Sequence, residues 1–355
     1  MKAVILQNNA DLVIDNIDSN EIKPDECMIS IKSAGICASD VPRAFDNGAY
    51  SYPLIMGHEL AGQIVKCGAE VDEDLREGMS VVIFPLLPCG NCISCKKKKY
   101  AQCSSYSYYG SRQHGGFAEY LNVKSWNILP YDDSISYNNA SLTEPVSVVI
   151  HALNRASILN ENYTGNVAIV GSGFLGLVAA NILKMQNPEI NITIFDRNDY
   201  KLQIASSIGV EDICLKDNTE WDDYLNANHS KFDVVIEASG VPSTYISTIQ
   251  LSKPGAKVVW MGNISDDLVI NKGLVSSILR KELTIIGTWN SVYDGRNESD
   301  WLTALELMRK GFSPSKFVTH YVSLDEVPKI MQKQYNHKTR LETHDILKVI
   351  VNPKD

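Results

Sequence analysis

Up to about residue 142, short apolar runs alternate with Gly, Pro, Asn and Asp. Met28-Ile29-Ser30-Ile31, Ala61-Gly62-Gln63-Ile64-Val65 and Ser80-Val81-Val82-Ile83 carry the strand pattern, which predicts a β-rich, barrel-like domain. From 143 the texture changes. An apolar strand, Asn166-Val167-Ala168-Ile169-Val170, runs into a glycine-rich turn and a helical stretch over 177–185. Further strands are predicted at 191–195, 232–236, 256–260 and 283–286, separated by helical segments. Strands alternating with helices mean right-handed βαβ units and a parallel sheet. The remaining block, 289–355, holds an amphipathic helix over 301–308 and an apolar strand over 347–351. It is too short for a domain of its own and is expected to return to the first block. The predicted domains are therefore 1–142, 143–288 and 289–355.

At 355 residues the length suggests about two domains. An apolar share of 44 % rules out disorder and small disulfide scaffolds. Lys and Arg number 33 against 42 Asp and Glu, a net charge of −9, which argues against nucleic-acid and anionic-membrane partners. The opening Met1-Lys2-Ala3-Val4-Ile5-Leu6 turns polar at Gln7, unlike a signal peptide. The apolar stretch 167–183 contains three spaced glycines, unlike a bilayer span. A cytoplasmic location is expected, in which eight cysteines are better read as ligands or core residues than as disulfides.

Gly171-x-Gly173-x-x-Gly176 follows a strand and opens a helix, over Gly171-Ser172-Gly173-Phe174-Leu175-Gly176. The first glycine permits a tight turn, the second admits a pyrophosphate, and the third lets helix and strand pack closely. The helix N-terminus faces the phosphates with free N–H groups. Asp196 closes the next strand twenty residues after Gly176. There it would accept from ribose hydroxyls and repel a 2′-phosphate, favouring NAD over NADP, although Arg197 beside it weakens that discrimination. Plain tight-turn glycines and a surface aspartate are the alternative.

Cys89-x-x-Cys92-x-x-Cys95 and Cys103 form a compact four-thiolate set suited to a closed, structural zinc site. Buried apolar cysteines or an iron–sulfur cluster are the alternatives. The absence of a proline after the fourth cysteine disfavours the cluster. Cys37, His58-Glu59 and Glu144 form a second, mixed set from separate loops, suited to a catalytic zinc with an exchangeable position. Taken singly, each also reads as a core thiol, a core histidine or a solvated carboxylate.

Together these features resemble the zinc-dependent medium-chain alcohol/polyol dehydrogenases over essentially the whole chain. The resemblance rests on Gly57-His58-Glu59-Leu60-Ala61-Gly62, the four-cysteine lobe, Gly115-Gly116-Phe117-Ala118-Glu119-Tyr120, Glu144-Pro145-Val146-Ser147-Val148 and the glycine turn. It implies an α/β architecture: a GroES-like β-rich catalytic domain formed by 1–142 and 289–355, with a Rossmann-fold domain inserted at 143–288. It implies NAD and two Zn²⁺ per chain. Cys37 and His58 would be catalytic-zinc ligands, and Glu144 would occupy the third ligand position. Glu59 would bind directly or through water. Ser39 would relay the alcohol proton and Asp40 would orient the histidine. Pro42 stands where many relatives carry a histidine that helps the proton leave, so Ser39, Glu144 and water are left for that task. The strand-end positions Ser239, Gly240, Gly262 and Thr288 would touch the cofactor.

Segments such as Ser39-Asp40-Val41-Pro42-Arg43 and Tyr109-Gly110-Ser111-Arg112 resemble family members acting on polyol phosphates such as galactitol-1-phosphate. The implied reaction is hydride transfer between NAD and a secondary alcohol of a polyol phosphate. Arg112 and Arg43 are the candidate phosphate contacts, with Tyr50, Phe117 and Trp289 lining the pocket. An unphosphorylated, sorbitol-like polyol or a diol is the alternative substrate. An inactive NAD(P)-binding relative and a zinc-free quinone reductase are more distant readings. A homodimer or homotetramer is expected, pairing through the strand at 283–287.

Overall fold

A computed structural model describes residues 1–18, 21–228, 230–297, 299–340 and 345–354. They divide into two compact units: Met1–Ser147 with Ser291–Asp355, and Val148–Asn290. The divisions fall after Ser147 and Asn290 rather than at 142 and 288. The first turn of α4 (Thr143–Arg155) is tied to the first unit, where Ser147 Oγ donates to Ser291 Oγ at 3.0 Å.

The first unit is β-rich. One sheet has the order β2 (Asp11–Asn16), β1 (Lys2–Asn8), β4 (Leu54–Ile55). A second runs β10 (Ile128–Pro130), β6 (Ser80–Ile83), β5 (Glu59–Cys67), β3 (Glu26–Ile36), β18 (Val349–Val351), β17 (His320–Val322). β9 (Tyr120–Lys124) also pairs with β3, and β7 (Leu86–Leu87) pairs with β8 (Ser107–Tyr108). β3 organises this unit. One of its edges pairs with β5 from Cys27 to Gly35, and the other takes β9 and then β18 in succession. Ile29, Ile31, Leu60, Ile64, Val81 and Val349 bury the core between these strands. The piece predicted at 28–31 therefore lies inside an eleven-residue strand, which runs on past a register shift between Ile31 and Ser33 to Ile36. The helices are α1 (Asp40–Phe45), α2 (Ile93–Lys96), α3 (Tyr137–Ala140), α10 (Asp300–Arg309) and α11 (Val327–Arg340). α11, not predicted, docks on α1 by stacking Tyr335 on Phe45 with centroids 4.9 Å apart.

The second unit is a six-stranded sheet in which every pair is parallel. Its order is β13 (Glu211–Cys214), β12 (Ile192–Asp196), β11 (Val167–Val170), β14 (Phe232–Glu237), β15 (Ser252–Trp260), β16 (Thr284–Gly287). β11 is buried throughout, as a central strand covered on both faces must be. The helices α5 (Phe174–Gln186), α6 (Asp199–Ser206), α7 (Asn218–Asn228), α8 (Pro242–Leu251) and α9 (Lys272–Arg280) lie between the strands in sequence. This is the doubly wound order of a Rossmann fold, with its topological switch between β11 and β14. β13 was not predicted; it is a short edge strand with too little apolar pattern to read. Among the described residues no helix is long and apolar enough to cross a membrane.

Candidate metal and cofactor sites

The β3–β5 register assembles the first site. Gly35 stands opposite Glu59, so Cys37, just past β3, meets His58 and Glu59 at the head of β5. Ligand atoms of Cys37, His58 and Glu59 all lie within 4.8 Å of one another. Gly35 is required there, because a Cβ would sit 1.9 Å from Glu59 Oε2. The turn after β3 is closed by Asp40, which accepts from Cys37 N at 3.1 Å. The other oxygen of Asp40 faces His58 Nδ1 at 3.4 Å, leaving Nε2 for a ligand role. Burial opposes a charge on His58. Asp40, and after it Cys37, outweigh that and hold the imidazole pKa well above its usual value. Ser39 Oγ lies 3.2 Å from Cys37 Sγ.

Glu144 is not part of that group. It is buried in the first turn of α4, where Oε1 accepts from Tyr108 OH at 3.3 Å. Burial pushes its carboxyl up to about 7; His58 opposes this rise and Glu59 adds to it, which marks a carboxyl close to both. Glu59 has a charge partner that the sequence did not suggest. Buried Lys348, one residue before β18, donates to Glu59 Oε1 at 2.6 Å and to the carbonyl of Ile36 at 3.1 Å. One thiolate, one imidazole and nearby carboxylates suit zinc with an open position, and the orienting Asp40 is already in place.

The cysteine lobe forms the second site. Cys89, Cys92, Cys95 and Cys103 converge, with Sγ separations of 3.5 Å for 92–95, 3.9 Å for 89–95 and 3.9 Å for 92–103. Sulfurs on one tetrahedral zinc at about 2.3 Å stand about 3.8 Å apart, so the quartet fits that ion. Backbone N–H groups of Cys95 and Ser104 pull the Cys92 thiol down to about 5, favouring the thiolate. The lobe is pinned by Lys98 on Asp294 at 2.8 Å and by Tyr100 edge-on to Trp126 at 5.2 Å.

In the second unit, the glycine turn meets each steric demand of a dinucleotide site. Gly171 has φ +108 and no room for a Cβ beside Ser239 N, Gly173 faces open space, and a Cβ on Gly176 would sit 2.0 Å from Gly171 O. Phe174 and Leu175 open α5. Asp196 ends β12, where it accepts from Ser172 N at 2.7 Å and from the backbone of Arg197 and Asn198 at 2.8 and 3.0 Å. Ser239, Gly262 and Thr288 follow the carboxyl ends of β14, β15 and β16, at the edge where such sheets bind ligands. Glu237 was not foreseen. Fully buried at the end of β14, it accepts from Ser239 N at 2.8 Å, Gly240 N at 3.0 Å and Thr244 Oγ1 at 2.7 Å, and so shapes that loop. Its signal is a carboxylate directly after the apolar run Val234-Val235-Ile236.

The expected substrate residues separate. The Arg112 guanidinium is sandwiched between the rings of Tyr50 and Tyr106, 4.4 and 4.1 Å from their centroids. Tyr106 packs edge-on to Tyr108 at 6.3 Å, and Tyr108 to His58 at 5.7 Å. Arg112 is thus two rings from a candidate metal ligand. Arg43 lies one turn along α1 from Asp40, its Nε buried and without a hydrogen-bond partner. Phe117 corrects the expectation of a pocket-lining ring: it is fully buried in the core, and its ring fills the space where a Cβ on Gly57 would stand. Trp289 belongs to the second unit and is 54 % exposed.

Comparison with known proteins agrees with this chemistry. Residues 23–133 match the alcohol dehydrogenase GroES-like domain, and residues 175–310 match the zinc-binding dehydrogenase family. The chain is 34 % identical to galactitol 1-phosphate 5-dehydrogenase of Escherichia coli K12, over 87 % of this chain and 88 % of the relative. It is 28 % identical to sorbitol dehydrogenase of Bacillus subtilis, over 99 % and 97 %. The crystal structure of galactitol-1-phosphate dehydrogenase from Escherichia coli superposes with a TM-score of 0.88 at 30 % identity, covering 99 % of this chain and all of that one.

Proposed function

The chain belongs to the zinc-dependent medium-chain alcohol/polyol dehydrogenases, and on that footing we propose that it oxidises a secondary alcohol of a polyol phosphate such as galactitol-1-phosphate, using NAD. Cys37, His58 and a carboxylate, Glu144 or Glu59, would hold the catalytic zinc, and the four lobe cysteines a structural one. Bound zinc supplies the Lewis acidity that makes an alcohol hydroxyl acidic, and NAD supplies the hydride acceptor. Ser39 takes the hydroxyl proton and passes it outward. Asp40 fixes the imidazole through Nδ1, and Tyr108 fixes the Glu144 carboxyl. The Asp196 carboxylate favours NAD by repelling a 2′-phosphate.

The observation that carries the phosphate reading is Arg112. Among the described residues no carboxylate pairs with it; its guanidinium lies over the Tyr50 and Tyr106 rings and donates through Nη1 to the Tyr106 carbonyl at 3.3 Å, two rings away from His58. A guanidinium positioned by two rings and left without a carboxylate suits bidentate phosphate contacts. The test is NADH formation by zinc-loaded enzyme with galactitol-1-phosphate beside galactitol. A strong preference for the ester is expected. Arg112→Leu is expected to raise KM for the ester by about 10–100-fold while leaving the free polyol within about two-fold. Equal or better turnover of galactitol would make a general polyol dehydrogenase the correct reading.

The same reading extends to assembly. Among the described residues β16 pairs within its sheet only with β15, and Ile285 on it is exposed. An unpaired edge of this kind invites a second copy of the chain. Light scattering is expected to give a dimer or tetramer that Ile285→Lys dissociates; a wild-type monomer would end the proposal.

A further inference from the structure

The β3–β5 ladder carries the candidate metal ligands at one end. At its other end is a pair of cysteines that the proposed chemistry does not use. Cys27 and Cys67 stand opposite each other in register, with Sγ atoms 3.3 Å apart. One residue outward, Gly68 N donates to Glu26 O at 2.8 Å while Glu26 N turns to Lys23 O at 3.0 Å, so 26 and 68 stand at a hydrogen-bonding position of the ladder that makes one of its two bonds. Cys27 and Cys67 therefore occupy the adjoining non-hydrogen-bonded pair, where side chains approach most closely. Cα atoms in such a pair stand about 4.5 Å apart, inside the range a disulfide spans. Cys27 is fully buried and Cys67 half-buried. Of the eight cysteines, Cys37 and the lobe quartet are candidate metal thiolates and Cys214 belongs to the other unit, which leaves these two as a pair.

We propose that Cys27 and Cys67 form a redox-operated dithiol. In the presence of a small disulfide such as glutathione disulfide it closes into a cross-strand bond and fastens the ladder that presents Cys37, His58 and Glu59. The more accessible Cys67 thiolate attacks one sulfur of the small disulfide and expels one thiol. Cys27 then attacks the Cys67 sulfur of the mixed disulfide and expels the second. Two protein thiols give up two electrons and two protons, and one small disulfide becomes two thiols. The sulfurs need close only from 3.3 Å to about 2.05 Å. The bonded segment encloses all three ligand residues, so the cross-link restricts the unfolded chain in the region that must refold to bind metal.

The test uses the zinc-loaded full chain incubated with glutathione disulfide. Peptide mass spectrometry is expected to find the Cys27 and Cys67 peptides joined, about 2 Da below the sum of the reduced pair. The unfolding midpoint is expected to rise by roughly 5 °C. Zinc content is expected to stay unchanged, and dithiothreitol to reverse the shift. Cys67→Ser and Cys67→Ala, with native circular dichroism, are expected to lose both the link and the shift. A wild-type protein that carries only a glutathione adduct on Cys67, or that forms the link with no change in midpoint, would overturn the proposal.

Discussion

Cys37→Ala protein is expected to fold, to bind NADH with near-native affinity, and to lose turnover by about 10³-fold or more. The thiol lies in the ligand group with His58 and Glu59, whereas the glycine turn belongs to the other unit and keeps its geometry. Losing a metal that polarises the reacting oxygen removes several kcal/mol of transition-state stabilisation. Three measurements read the outcome together: zinc per chain falling from two to one, NADH fluorescence titrating as in the wild type, and kcat collapsing. Full activity with a single zinc would sink the catalytic assignment. Loss of the lobe zinc instead would mean that the two sites had been exchanged.

Lys348→Met is expected to cost about 3–5 kcal/mol in urea unfolding of the metal-free protein, because it leaves the Glu59 carboxylate buried without its cation. Both groups are nearly inaccessible, and the pair is closed by the Nζ contact of 2.6 Å with Glu59 Oε1. A buried pair contributes little beyond well-packed neutral groups, so Lys348→Met/Glu59→Gln is expected to recover most of that loss. Additive single-variant costs in this cycle would show that the two side chains act independently.

These two residues mark what was legible in the sequence. The glycine turn and the cysteine lobe are local: spacing alone brings the groups together, and the turn shows the predicted steric demands at Gly171, Gly173 and Gly176. The mixed ligand set depends on a long-range register, Gly35 opposite Glu59, which periodicity cannot supply; only the family resemblance grouped it. Lys348 hid inside an apolar run that reads as a strand. Its charge was a signal only to a reader who already knew which carboxylate it faced. Phe117 failed for a different reason. An aromatic after two glycines reads equally as a pocket wall or as a core plug, and the close approach of Gly57 decides for the core.

Lys348 also sets an order of events during synthesis. It follows Glu59 by 289 residues, with the whole second unit between them. At about 5–20 residues per second, the ribosome delivers Cys37, His58 and Glu59 roughly 15–60 s before the cation that balances them. Through that interval the ligand cluster lacks the ammonium group that later pairs with Glu59. A divalent ion can occupy it before the permanent partner arrives, so metal capture and closure of the first unit need not wait for one another.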